Sequence, residues 1–251
     1  MSGSLVLVPN ALDFGAEEVP LRDVLGDAAI RSAAAITHWV VEDARSARAF
    51  LKRVAVLSTL ASPLQSLSIH ELPRPRKGSQ ETVSAAAWAG LLAPALAGAD
   101  IGLLSEAGLP AVADPGAALV HAAHDLGIRV WPLAGPSSLM LALAGSGLNG
   151  QSFAFVGYLP QDASARATRL RELEALSRRA QQTQLIIETP YRNGALLAAM
   201  LATLAPPTRL SVSMGLTLPE GWVRCHSVAM WRQQAVTLSD RVPAVFALLA
   251  T

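Results

Sequence analysis

A group of charged residues follows an apolar segment near the start of the chain. Glu42, Asp43 and Arg45 come directly after the run 36–41, where a purely structural turn would be served by glycine or asparagine. A carboxylate here can accept the proton of an attacking hydroxyl, but with an unperturbed pKa of about 4 it is a poor base unless it is buried or only orients the substrate. Arg45 can hold a phosphate or form a helix-start salt bridge with Asp43. We single out Asp43 and Arg45 as candidate catalytic residues, and Glu42 as another candidate base.

Loops rich in glycine, proline, serine and acidic residues follow other apolar runs. These loops are 9–10, 105–110, 135–138, 188–192 and 214–216. Small and polar residues let the backbone come close to a polar ligand, and open α/β sheets bind ligands beyond the carboxyl ends of their strands. The same residues are common in ordinary turns, so each loop taken singly also has a structural explanation.

The better-known catalytic signatures are missing from the sequence. There is no G-x-G-x-x-G after the first strand, no P-loop and no G-x-S-x-G turn. His121 and His124 do not have a convincing metal spacing, and we predict no metal site. Cys225 and His226 are neighbours that a strand would point to opposite faces, which makes them a weak nucleophile and base pair. A single cysteine excludes an intramolecular disulfide and suits a reducing cytoplasm.

The first half of the chain alternates between strand and helix patterns. Strands are predicted at 4–8, 35–41, 67–70, 101–104 and 128–133, and helices at 21–29, 44–51, 82–96 and 117–126. This alternation predicts a mostly parallel sheet with helices on both faces.

The second half has a different pattern. Strands are predicted at 153–156, 184–188, 209–214 and 242–249, and helices at 166–178 and 194–204. The change near residue 135 predicts an α/β protein with two α/β lobes, residues 1–134 and 135–251.

Composition favours a globular protein that buries a core of its own. Of 251 residues, 51% are hydrophobic and 16% are charged. The uncharged stretches 82–99 and 130–161 are broken by proline and glycine, so we predict no membrane span, and Ser2–Pro9 lacks the features of a secretory signal.

The overall charge balance neither supports nor excludes an RNA substrate. Twenty basic and nineteen acidic residues give a net charge of +1. Basic residues cluster in a predicted loop at 73–79 (Arg74, Arg76, Lys77) and in one later segment (Arg166, Arg169, Arg171, Arg178, Arg179). Both clusters are compatible with RNA contact and with a solvated surface.

Four segments taken together carry a resemblance to a known family. They are Ile101–Pro110, Asp114–Gly116 with Leu119 and Val120, Leu133–Ser138, and Phe155–Pro160. In this order they resemble the tetrapyrrole methylase superfamily of S-adenosylmethionine-dependent methyltransferases. Val41–Arg45 and Ile187–Arg192 are further similar to Ala-Glu-Asp-Thr-Arg and Tyr-Glu-Ser-x-x-Arg of one branch, the ribosomal RNA small subunit methyltransferases I, which methylate a cytidine ribose 2′-hydroxyl in 16S rRNA.

The resemblance implies a kidney-shaped pair of α/β lobes, usually a homodimer, with S-adenosylmethionine bound in the cleft between the lobes. It implies the following donor-binding positions: Pro9, Ala107, Gly108, Leu109, Ser137, Ser138, Glu188 and Met214. The implied partners are 16S rRNA or the small ribosomal subunit. Because the donor sulfonium is already activated, the protein contributes mainly the placement of the reacting groups.

Several positions depart from the branch pattern. The branch has Pro-Ile-Gly-Asn-Leu where this chain has Pro9–Asp13, a threonine in place of Leu109, and a basic stretch in place of Gln161–Ala163. Two alternatives therefore stay open. One is a methyltransferase that acts on a tetrapyrrole or other small molecule, and the other is a degenerate paralogue that binds S-adenosylmethionine or the ribosome without methylating.

Overall fold

Each half of the chain forms a sheet covered by helices. The structure, a computed structural model, describes residues 2–13, 19–73, 83–234 and 236–251. The chain divides into two compact units, Met1–Ser137 and Ser138–Thr251. The predicted α/β class with two α/β lobes is confirmed. The predicted boundary after residue 134 and the predicted ligand cleft between the lobes stay predictions.

The described strands of the first unit form a wholly parallel sheet. They are β1 (Ser4–Val8), β2 (His38–Val41), β3 (Ser68–Glu71), β4 (Ile101–Leu104) and β5 (Arg129–Pro132), in the order β3-β2-β4-β1-β5. The prediction of a mostly parallel sheet is confirmed for this unit. Every residue of β4 is buried, and position 102 needs glycine because a Cβ atom there would lie 2.6 Å from the ring of Trp39 on β2.

Helices pack on both faces of this sheet, as predicted. They are α1 (Leu21–Val24), α2 (Asp27–Ala35), α3 (Ala44–Leu57), α4 (Ala85–Leu96) and α5 (Ala117–Asp125), with a 3₁₀ turn at Leu64–Ser66. Successive strand residues point to opposite faces. Val6 accordingly shares an apolar cluster with Phe50 of α3, whereas Leu5 shares another with Leu92 of α4 and Leu119 of α5.

Two predicted bounds near residue 30 are wrong. The predicted strand 35–41 begins only at His38, because α2 continues through Ala35 and alanine is the best helix former. The predicted helix 21–29 is two helices, since Leu25 and Gly26 both have extended backbone between α1 and α2.

The described strands of the second unit form a mixed sheet. They are β6 (Phe153–Phe155), β7 (Thr183–Glu188), β8 (Arg209–Met214), β9 (Trp222–Ser227) and β10 (Ala244–Leu249), in the order β6-β7-β10-β8-β9. β6 and β7 are parallel, and the other neighbours are antiparallel. The edge strand β9 was not among the predicted strands, because its half-buried residues do not form a continuous apolar run.

Helices also cover both faces of the second sheet. They are α6 (Ser138–Ser146), α7 (Ala163–Ala180), α8 (Asn193–Thr203) and α9 (Val228–Trp231), with a 3₁₀ turn at Pro190–Arg192. Phe246 of β10 lies in one cluster with Leu170 of α7 and Met200 of α8. Its neighbour Val245 lies in a second cluster with Leu139 of α6.

The predicted basic loop and the predicted lack of a membrane span compare with the structure as follows. The basic residues of the predicted loop 73–79, Arg74, Arg76 and Lys77, lie outside the described residues, as does Thr82 at the start of a predicted helix. Within the described ranges, no helix has both the length and the apolar character needed to cross a membrane.

Candidate functional site

The carboxyl ends of β1, β2 and β4 bring three of the predicted loops together at one edge of the first sheet. The backbone N–H of Glu42 donates to the carbonyl of Leu104 at 3.1 Å, and the N–H of Glu106 donates to the Glu42 carboxylate at 3.2 Å. The loops after β2 and β4 are thus joined directly. This is the edge at which parallel α/β sheets bind their ligands.

Asn10 links the loop after β1 to the loop after β4. Its side-chain amide donates to the carbonyls of Ser105 and Glu106, at 3.2 and 2.9 Å. Its backbone exchanges two hydrogen bonds with Gly108, at 2.9 and 3.1 Å. Gly108 has φ +69°, which favours glycine. Asn10 was predicted only as part of a loop, because its linking role depends on contacts across the sheet.

The loop after β5 packs tightly on the first loop. A Cβ atom at Gly135 would lie 2.1 Å from the Cβ of Pro9, so only glycine fits there. A Cβ atom at Gly108 would lie 3.6 Å from the carbonyl oxygen of Pro136. The predicted donor positions Pro9, Gly108 and their neighbours Ala107, Leu109 and Ser137 therefore belong to one set of adjoining loops.

Two glutamates act on the carboxyl group of Asp114 at the same edge. The pKa of Asp114 is raised to about 7, first by burial and then by the negative charges of Glu42 and Glu106, while the nearby Ser105 hydroxyl works in the opposite direction. A pKa near neutrality suits a group that accepts a proton at physiological pH. Asp114 was not among the predicted site residues, although its motif Asp114–Gly116 was part of the resemblance.

Asp43 caps the helix that follows it. Its Oδ1 accepts from the backbone N–H of Ser46 at 2.7 Å, and Oε1 of Glu71 accepts from the N–H of Ala44 at 2.9 Å. Both bonds satisfy free donors in the first turn of α3. This cap explains an acidic residue at position 43 without a catalytic role. Arg45, the other candidate catalytic residue, lies exposed on the first turn of the same helix.

The remaining predicted donor positions lie in the second unit. Ser138 is the first residue of α6, and Met214 is the buried last residue of β8. Glu188 ends β7 with its side chain 1% exposed. Its Oε2 accepts from Nη2 of Arg192 at 2.5 Å, while its Oε1 accepts from the N–H and hydroxyl of Thr189 at 2.8 and 3.3 Å. These bonds leave the Glu188 carboxylate little capacity for a ligand.

The thiol and imidazole groups considered from the sequence do not form a reactive pair. Burial raises the pKa of the Cys225 thiol, although Arg209 nearby opposes this shift, so the thiol stays protonated and weakly nucleophilic. His226 packs edge-on against Trp231, with ring centroids 5.3 Å apart. Within the described part of the chain, no group of three or more His, Cys, Asp or Glu residues could hold a metal ion.

Sequence comparison finds relatives named ribosomal RNA small subunit methyltransferase I. No family model matches the chain. Ribosomal RNA small subunit methyltransferase I of Mesorhizobium japonicum is 39% identical over 127 residues, which are 51% of this chain and 42% of that protein. Other proteins of this name are 33% to 41% identical. The chain spans about half the length of the curated relatives it matches.

Structural comparison adds the fold. A uroporphyrin-III-C-methyltransferase from Thermus thermophilus aligns over 99% of this chain and 93% of its own, with TM-score 0.50 and 20% identity. The methyltransferase CobJ aligns over 100% and 95%, with TM-score 0.58 and 17% identity. The chain therefore has the same fold as these methyltransferases. Two of the segments that carried the resemblance, Ile101–Pro110 and Leu133–Ser138, contain loops that adjoin the loop after β1 at the carboxyl edge of the first sheet.

Proposed function

We propose that this chain transfers a methyl group from S-adenosylmethionine to a ribose 2′-hydroxyl of 16S rRNA. The observation that carries the proposal is its 33% to 41% identity with relatives named ribosomal RNA small subunit methyltransferase I. The matched segments cover about half of the length of those relatives. The rRNA substrate is therefore part of the proposal and is not shown by the comparison.

The first-unit loops fit the donor chemically. Gly108 and Gly135 keep side chains out of the adjoining loops and Asn10 holds these loops together, so their backbone can come close to a polar ligand. Pro9, Ala107, Gly108, Leu109 and Ser137 would hold S-adenosylmethionine. Ser138 and Met214 stay predicted positions of the second unit, whereas the Glu188 carboxylate is taken up by Thr189 and Arg192. When bound, the donor supplies an electrophilic methyl group on a sulfonium.

The chain must also receive the proton of the attacking hydroxyl. We assign this role to Asp114, because its pKa of about 7 keeps a useful fraction of it deprotonated while making it a stronger base than an ordinary aspartate. Glu42 and Glu106 hold that pKa up by their negative charge. Asp43 takes a positioning role through its cap on α3, and Arg45 keeps its proposed role as a contact to an RNA phosphate.

Methyl transfer from tritiated S-adenosylmethionine tests the proposal. The acceptors are small ribosomal subunits, free 16S rRNA and a uroporphyrinogen, and incorporation is expected in ribosomal RNA alone. Incorporation only into the tetrapyrrole would overturn the proposed acceptor. Calorimetry with S-adenosylmethionine and S-adenosylhomocysteine is run beside it.

The altered first loop, Pro9–Asp13, favours one second candidate, a paralogue that binds the donor or the ribosome without methylating. In the structure this loop is firmly held, since Asp13 is 2% exposed and pairs with Arg53 at 2.8 Å. Donor binding in calorimetry with no incorporation into any acceptor would favour this candidate over the enzyme.

A homodimer and a cytoplasmic location complete the proposal. The single cysteine suits a reducing compartment. Light scattering coupled to size exclusion should report twice the mass of one chain. A monomer at micromolar concentration would contradict the homodimer.

A further inference from the structure

A small cavity lined by two arginines lies in the second unit. Its volume is about 190 Å³, and it is lined by Gln161, Arg166, Glu188, Arg192, Ala195 and Leu196. We call it the arginine pocket. Pockets that enclose drug-sized ligands have volumes of about 300 to 1,000 Å³, so this one suits a single small group.

One donor in the arginine pocket lacks an acceptor. Nε of Arg166 is buried and has no hydrogen-bond partner among the described residues, whereas Nη1 of the same side chain donates to the carbonyl of Gln161 at 3.1 Å. A buried N–H of a charged group is costly to leave unpaired, so unpaired donors of this kind are rare in folded proteins. The unpaired Nε–H indicates an acceptor that the described residues do not provide.

The charges of the pocket indicate what kind of acceptor it is. Arg166 and Arg192 are positive and Glu188 is negative, which leaves a net charge of +1. Oε2 of Glu188 accepts from Nη2 of Arg192 at 2.5 Å and so holds this arginine in place. The other carboxylate oxygen of Glu188 accepts from Thr189. A phosphodiester carries one negative charge and matches this balance, whereas a terminal phosphate carries about −1.5 to −2. Arginine is also the side chain best shaped to bind phosphate oxygens.

We propose that the arginine pocket binds one backbone phosphodiester of the RNA acceptor, with the Nε–H of Arg166 as the principal donor. Naming RNA as the source of the phosphodiester rests on the function proposed above. The phosphodiester chemistry itself rests on the unpaired donor, the net charge and the size of the pocket.

A direct test uses dimethyl phosphate as the probe. The Arg166 Nε–H resonance of the full chain, labelled with ¹⁵N-arginine and assigned from its loss in Arg166→Gln, should shift and saturate as dimethyl phosphate is added. The matched control Arg169→Gln removes the same charge from the same helix at an exposed residue outside the pocket, and it should keep the response. No shift of the Arg166 resonance would overturn the proposal.

The second test measures binding of 16S rRNA over a range of salt concentrations. Arg166→Gln should lower the slope of log K against log salt by about 0.7 to 0.9, the value expected when one phosphate contact is lost. Arg166→Lys should restore most of the slope without the dimethyl phosphate response, because it keeps the charge but lacks Nε–H. Equal losses in Arg166→Gln and Arg169→Gln would indicate general attraction and overturn a specific pocket.

Controls separate this inference from the proposed function. Thermal unfolding of each variant checks the fold, and calorimetry with S-adenosylhomocysteine checks donor binding. A tenfold loss of donor affinity in Arg166→Gln would overturn the proposal by placing the donor in the pocket. If the parent chain binds no RNA, the proposed function fails, while a dimethyl phosphate response that disappears in Arg166→Gln still supports a phosphodiester pocket.

Discussion

Replacing Asp114 by asparagine removes the carboxylate to which we assign the proton of the attacking hydroxyl, and leaves the side-chain size nearly unchanged. General base catalysis contributes about 10² to 10⁴ in rate. We therefore expect Asp114→Asn to lower methyl transfer by at least about 100-fold, equivalent to about 2.7 kcal/mol in the barrier. Donor affinity measured by calorimetry should stay within about threefold of the parent value.

The pH dependence of the parent chain follows from the raised pKa. With a pKa of about 7, Asp114 is about one tenth ionised at pH 6 and nine tenths at pH 8, so single-turnover transfer should rise about tenfold over this range. Glu42→Gln removes one of the charges that raise this pKa, and should shift the midpoint of the profile to lower pH. Asp114→Asn at the parent rate at pH 8 would refute the assignment.

The raised pKa of Asp114 also predicts that its contribution to stability falls as the pH rises, whereas the transfer rate increases. The folded-state pKa of Asp114 lies above its ordinary value of 3.8, so the folded protein binds this proton more tightly than the unfolded chain does. The contribution of Asp114 to stability is full below about pH 4 and is lost as the pH rises through about 7. Urea unfolding should therefore show Asp114→Asn gaining stability relative to the parent between pH 4 and pH 8. An unchanged difference between the two proteins across this range would contradict the raised pKa.

Substitutions at Asp43, Gly135 and Glu174 test how the fold and the site are supported. Asp43→Ala removes a helix cap and should cost about 1 kcal/mol of unfolding free energy in urea. Asp43→Asn should keep the cap, and its rate of methyl transfer should stay within about threefold of the parent rate. A tenfold loss of transfer in Asp43→Asn would support a catalytic role for Asp43. Gly135→Ala forces a Cβ atom to 2.1 Å from Pro9 and should cost about 1 to 3 kcal/mol and weaken the donor in calorimetry, while Gly150→Ala, with open space around it, should do neither. Glu174→Ala leaves two donors unpaired and should cost about 2 to 4 kcal/mol in the same urea assay, with activity per folded molecule unchanged.

Local sequence patterns were sufficient to predict the bounds of a strand where those bounds do not depend on neighbouring elements. β1 and β4 have the predicted bounds, Ser4–Val8 and Ile101–Leu104, because each is a short apolar run in the middle of a parallel sheet and is followed by turn residues. β9 lies at a sheet edge, where half-buried residues remove both the alternation and the continuous apolar run. The limits of β2 depended on how far the alanines of α2 continue as helix.

In the candidate site, residue spacing predicted which loops lie together but not which side chains have unusual surroundings. The loops were predicted because parallel strands end at a common edge, and the first-unit loops do adjoin. Asp114 could not be proposed from the sequence, because its raised pKa depends on burial and then on Glu42, which is distant along the chain. The unpaired Nε–H of Arg166 likewise depends on what the fold does not bring near it.

Hydrogen-bond satisfaction separates the charged residues that support the fold from those that act on a ligand. Asp43 and Glu188 have their carboxylates bound to donors of the chain itself, so removing them should first lower stability. Asp114 is held in an environment that disfavours its charge, and Arg166 keeps a donor that nothing in the described chain satisfies. Both arrangements cost folding free energy, and such costs are typically kept where function requires them. Neutral substitution at Asp114 should therefore impair methyl transfer, and neutral substitution at Arg166 should impair RNA binding. Neither should cause the loss of stability expected when the side chain of Asp43 or Glu188 is removed.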